Sequence, residues 1–192
     1  MKFCLHILLL STLFFSAGIL LGQTVTIHLD PAQTQIAWTL PDVLHTVHGT
    51  FQLSSGSITF NPKSGDASGL FIVNVNTGAS GDNVRDNRMK KSILEAATHP
   101  NATFKPTHVS GAYNAAGAST LFVDGIFHLH GADHPLKLTF QVNTAGNTVA
   151  ATTKFDLPYV AWGMHDPSTL FLRVDKSVQM EIDAKGTVQT TS

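Results

Sequence analysis

The sequence predicts an all-β domain with one short helical segment, built as an antiparallel sandwich or barrel of about eight strands. Three observations lead there. Apolar and polar residues alternate through successive short runs, and a period of two is the repeat of a strand. The runs are separated by turn-forming clusters such as Asn61-Pro62-Lys63-Ser64-Gly65, where Pro and Gly favour a turn. Only residues 82–97 have helical character, with Val84, Met89, Ile93 and Leu94 set among charged residues.

Residues 1–22 stand apart from the rest. Lys2 is their only charge, residues 5–21 are almost wholly apolar, and Ser16, Ala17 and Gly18 lie near the end. This is the make-up of a secretory signal peptide, with cleavage expected after Gly22. An uncleaved membrane anchor is the alternative, because the apolar run approaches the length that spans a bilayer. No later segment is apolar enough to cross a membrane. The expected organisation is a leader over 1–22, one domain over 23–187 and a frayed tail over 188–192, in a periplasmic or secreted protein.

In the first strand Val25, Ile27 and Leu29 alternate with Thr24, Thr26 and His28, and Asp30-Pro31 breaks the run. Ile36, Trp38 and Leu40 mark the second, which stops at Pro41. Residues 43–51 form the third, bent at Gly49, and residues 57–60 a short fourth. The run 69–77 is apolar on both faces at its start, so a cover over its outside is expected; the helical residues 82–97 follow directly and supply it. Strands resume over 102–109. The stretch 121–142 then reads as a hairpin, with Leu121, Val123, Phe127 and Leu129 on one face of the first arm and Leu136, Leu138, Phe140 and Val142 on one face of the second. The cluster 131–135 forms its turn. Residues 147–157 make another strand, 158–169 a loop, and 173–184 the last strand.

Composition narrows the function. The single cysteine, Cys4, lies in the leader, so the mature chain has no thiol, disulfide or Cys-ligated metal. Of 12 basic and 13 acidic residues, removal of Lys2 leaves 11 and 13, a net charge of −2. There is no basic block, which disfavours nucleic-acid and anionic-membrane surfaces. No G-x-S-x-G elbow, H-E-x-x-H or phosphate loop is present, and no Cys nucleophile. An enzyme is therefore not expected.

Two residue patterns remain as chemistry. The inward-facing apolar set is Val47, Phe51, Ile58, Phe60, Phe104, Phe127, Leu129, Leu138, Phe140, Phe155 and Met180. It suits either an ordinary filled core or the wall of a lipid site, and alternation alone does not choose. The second pattern is His128-Leu129-His130, two imidazoles two residues apart on one strand face. Such a pair chelates Zn2+ or Cu2+ when a third ligand converges. His134 lies just past the turn, and His48, His99 and His165 are distant candidates. This makes a metal-binding secreted protein the alternative function.

Three segments, in order, carry a family resemblance. The first is Leu29-Asp30-Pro31, then Ile36-Ala37-Trp38, His48-Gly49-Thr50-Phe51 and Gly56-Ser57-Ile58-Thr59-Phe60. The second is Arg85-Asp86, Met89, Leu94, His99-Pro100 and Thr103-Phe104. The third is Phe127-His128-Leu129-His130-Gly131 followed by His134-Pro135-Leu136-Lys137-Leu138. Over about residues 24–186 the chain resembles the YceI-like family of secreted polyisoprenoid-binding proteins. The resemblance implies a lipocalin-like antiparallel barrel with a helical segment over it and an apolar tunnel. It implies an isoprenoid or other amphiphilic lipid as ligand, a periplasmic or secreted setting and no cofactor; a homodimer is compatible with it. Within that picture Arg85 and Arg88 are the candidates to meet a phosphate or carboxylate headgroup, since a guanidinium binds such groups by paired hydrogen bonds. Residues 159–164 depart from the family's shorter aromatic-Gly element.

Overall fold

The computed structural model describes residues 23–41, 45–170 and 172–191. The leader expected over 1–22 lies outside them, as does Val43. Among the described residues nine strands are formed: β1 (Thr24–Leu29), β2 (Gln35–Pro41), β3 (Thr46–Phe60), β4 (Ala67–Ala79), β5 (Asn101–Ser110), β6 (Ala118–Leu129), β7 (Ala132–Ala145), β8 (Thr148–Leu157) and β9 (Val178–Thr191). Every pairing is antiparallel.

The nine strands make eight staves. β1 pairs with the end of β3 and the end of β9, whereas β2 pairs with the start of each. β1 and β2 therefore lie end to end in one stave. The interruption is the 3-10 turn Pro31–Gln33, capped by Asp30, whose side chain accepts from the Ala32 amide at 2.9 Å and Gln33 Nε2 at 2.7 Å. Those two bonds hold the Asp30 carboxyl below the usual carboxylate range, the Gln33 bond most. Closure of β4 onto β3 completes the barrel, so neither end of the sheet is left as a free edge.

One pole of the barrel is packed solid. Val25, Phe60, Val149 and Val188 are buried there, beneath the turn 61–66 and the loop 111–117. The other pole gathers the helical segment, the β6–β7 turn and the long loop 158–177. α1 (Asn83–Arg88) runs directly into a π-helical turn, Met89–Ile93. The Asp82 carboxylate caps α1, accepting from the amides of Val84 and Arg85.

Several expectations change in the structure. Residues 43–51 and 57–60 are not two strands: β3 runs unbroken from 46 to 60, with register shifts against β4 between Thr50 and Gln52 and between Leu53 and Ser55. These bulges let a polar stretch stay in the ladder while the strand bends. The tail expected to fray from 188 is the end of β9, with Thr191 paired to Thr24 and Val188 buried opposite Ile27. The hairpin turn is His130-Gly131, both at positive φ (52° and 78°), the twist that joins two antiparallel strands in two residues. Asp133, His134 and Pro135 belong to β7. The helical segment does not cover the outside of β4, where Leu70 stays 36% exposed; it lies over the open pole. Gly49 has a packing role in β3. It stands opposite Trp38, and a Cβ there would lie 2.3 Å from Trp38 Cζ2, so the absent side chain makes room for the indole.

Candidate functional site

The alternation that builds the strands turns their apolar faces inward, yet the inward side chains do not fill the lumen. Towards the open pole lies a cavity of about 370 Å3, and towards the closed pole a smaller one of about 130 Å3. Val73, Ala102, Phe127, Phe155 and Ile182 line both and form the waist between them. The larger volume falls in the range of small-molecule sites.

The structure places all eleven inward residues named above on these walls. Val47, Phe51, Leu129 and Met180 line the larger chamber. Ile58, Phe60, Phe104, Leu138 and Phe140 line the smaller, and Phe127 and Phe155 border both. The wall is more extensive than that set. Trp38, Val75, Met89, Tyr159 and Met164 also contribute to the larger chamber. Trp38 and Val75 follow the same alternation, whereas Met89, Tyr159 and Met164 come from irregular segments where period two gives no guide.

Arg85 and Arg88 sit at the mouth, the only charged side chains among the described residues that line either chamber. Arg85 is tied down: its Nε donates to Ser80 Oγ at 2.7 Å and its Nη2 to the Ser80 carbonyl at 3.0 Å. Asp86 is buried and accepts from the Ser80 amide and hydroxyl. The neighbouring Arg85 and Asp86 are thus joined through Ser80. Arg88 is exposed at the rim with no ion-pair partner among the described residues.

The loop 158–177 forms the opposite lip. β7 and β8 pair only from Gln141↔Thr152 to Ala145↔Thr148 and part towards the mouth. The loop closes that gap: the Trp162 ring stacks on His134 with centroids 4.0 Å apart and planes 6° apart, and meets Phe127 at 5.8 Å. Pro135 is accommodated in β7 because its outer edge has no strand to pair with. Tyr159 anchors the loop's start to its end, its hydroxyl donating to the Asp175 carbonyl at 2.7 Å. Burial, and then the charges of Asp166 and Asp175, push the phenol up to about 12. In the unfolded chain it ionises near 10. Between those values unfolding releases a proton, so stability falls as pH rises through them. Urea midpoints measured below and above pH 10 should show that fall, and Tyr159→Phe should remove this residue's share.

The His-X-His pair does not form a joint site. His128 Nδ1 lies 2.6 Å from Asp133 Oδ1 in an exposed pair. His130 leaves the strand repeat at its positive φ and turns to a different set of neighbours, Glu95 and His99. The metal reading based on His128 and His130 is therefore corrected: the turn breaks the alternation that would have put them on one face.

Comparison with known proteins fits this geometry. The model of the YceI-like domain matches residues 28–186. No curated protein matches the chain. Among solved structures, Burkholderia cenocepacia BcnA is similar with a TM-score of 0.69 at 18% identity, covering 82% of this chain and 98% of that one. A polyisoprenoid-binding domain from Saccharophagus degradans gives a TM-score of 0.62 at 13% identity, covering 85% and 98%. The Campylobacter jejuni YceI protein gives 0.55 at 12% identity, covering 69% and 80%. The structural likeness shows a shared barrel, and the match over residues 28–186 shows that this chain belongs to the YceI-like domain family.

Proposed function

We propose that the protein is a secreted or periplasmic carrier that sequesters a polyisoprenoid, or a similar amphiphilic chain, inside its barrel. The observation that carries this reading is a lumen with apolar walls, closed at one pole and rimmed at the other by Arg85 and Arg88. The apolar chain lies along the two chambers, and an anionic or polar head stays at the rim beside the guanidinium groups. Each methylene moved from water into such a wall contributes about 0.8 kcal/mol, so a single five-carbon unit supplies about 3 to 4 kcal/mol. The similarity to a polyisoprenoid-binding domain from Saccharophagus degradans supports this ligand class. The leader-like composition of residues 1–22 supports export.

Denaturing solvent extraction of the purified protein followed by mass spectrometry tests the reading. The expected result is a long-chain lipid near one equivalent, or uptake of one equivalent when a polyprenyl alcohol or phosphate is supplied. Recovery of none, with no uptake on addition, overturns it.

A further inference from the structure

At the rim of the open pole, apart from the cavity, three metal-ligating side chains converge from separate segments. We propose that Glu95, His99 and His130 form a binding site for a divalent transition-metal ion, Zn2+ foremost, which clamps the helical cover to the barrel rim. One ligand atom from each of the three lies within 4.8 Å of the others. In a tetrahedral zinc site with bonds of about 2.0–2.2 Å, ligand atoms stand about 3.3–3.6 Å apart. His130 Nε2 and Glu95 Oε2 are already 3.4 Å apart. One edge of the coordination polyhedron is thus at its proper length, and small side-chain rotations bring in the rest. Two imidazoles and a carboxylate form a donor set suited to zinc, with a fourth position left for water. Glu95 is half exposed, so that position is reachable from solvent.

Two further observations favour an ion over a simple polar contact. His130 Nε2 is buried and has no hydrogen-bond partner: its approach to Glu95 lacks the alignment of a hydrogen bond. A buried nitrogen left unpaired in this way calls for an explanation, and coordination supplies one. The backbone gives the second. Among the described residues, Glu95 (φ 45°) and His130 (φ 52°) are the only non-glycine positions at positive φ. One follows the end of the helical segment and the other opens a two-residue hairpin turn, both places where glycine fits best. This chain instead puts a ligating side chain at each, and strained positions of this kind collect at functional sites. Gly131, beside them, is kept small by His99: a Cβ on Gly131 would lie 2.8 Å from His99 Cε1.

The ion would join two parts of the fold. Glu95 and His99 bracket the turn that ends the helical segment, where the amides of Thr98 and His99 both donate to the Glu95 carbonyl. His130 belongs to the β6–β7 turn of the barrel wall. Metal binding therefore holds residues 83–99 against the rim. The proposal does not depend on what the lumen carries.

The test uses the mature chain without an added histidine tag, stripped with a chelator and titrated with Zn2+ by calorimetry. The expected result is saturable binding of one equivalent. Glu95→Gln, His99→Gln and His130→Asn should each weaken it roughly tenfold or more. Glu95→Gln keeps the shape of the side chain, and asparagine tolerates the backbone of position 130, so circular dichroism should show both folded. His128→Ala should bind as the parent does. Hydrogen exchange over residues 83–99 should slow when Zn2+ is added. Absence of one-equivalent binding, undiminished binding in the three variants, or loss of binding in His128→Ala each overturns the proposal.

Discussion

Ala102→Phe is expected to weaken lipid uptake by about two to three orders of magnitude while the barrel still folds. Ala102 is buried in β5 and borders both chambers. Its neighbour across the ladder is Val73, which also borders both. A phenyl ring there enters the waist, where the present wall leaves space. A bound chain threading the waist loses the burial of about one five-carbon unit, about 3 to 4 kcal/mol, which is roughly a 150- to 900-fold rise in Kd. Displacement of a fluorescent polyprenyl probe measures the change, and a thermal melt checks the fold. Val73→Phe reaches the same place from β4 and guards against a folding defect peculiar to position 102. Unchanged affinity in both folded variants would mean that the chain stops short of the waist.

Phe60→Ala should destabilise the protein by about 3 to 5 kcal/mol, the cost of removing a buried aromatic ring from a core that cannot collapse around the hole. Phe60 is 2% exposed. It stands opposite Val25, which is fully buried, and meets Tyr113 edge-to-face with centroids 5.5 Å apart at 89°. Here the barrel wall, the loop 111–117 and the ends of β1 and β9 meet around one side chain. Equilibrium urea denaturation measures the loss. A change under about 1 kcal/mol, within the range of an ordinary surface substitution, would show that the closed pole is not the packed foundation described. The contrast with Ala102→Phe lies in stability: the waist variant should keep nearly all of it, whereas Phe60→Ala should not.

The strands and their inward faces were legible because period two is a strong local signal. Val47 and Phe51, or Leu138 and Phe140, need only an even spacing to share a wall. The hollow itself was not legible, since a filled lumen and an empty one use the same alternation. β3 read as two pieces because Ser54-Ser55-Gly56 is polar and flexible; pairing with β4 carries it through. The extension of β9 was disguised by Lys185, Thr187 and Gln189, which lie on the outer face while Ala184 and Val188 keep the inward rhythm. The Glu95–His99–His130 cluster draws on the helical segment, the approach to β5 and the β6–β7 turn, so no single window of sequence contains it. Glu95 and His99 are four residues apart after a helical run, and that spacing was the one local hint. Reading His130 as a strand residue paired it with His128; a positive φ before Gly131 sends its side chain elsewhere.

The pairing of Thr24 with Thr191 has a practical meaning. Both ends of the described chain leave the barrel at its sealed base, a full stave away from the arginine-rimmed entrance. A fluorescent protein, an affinity handle or a surface linker joined at either end would hang beneath the molecule. Immobilised that way, the entrance would face bulk solution, open to anything supplied there.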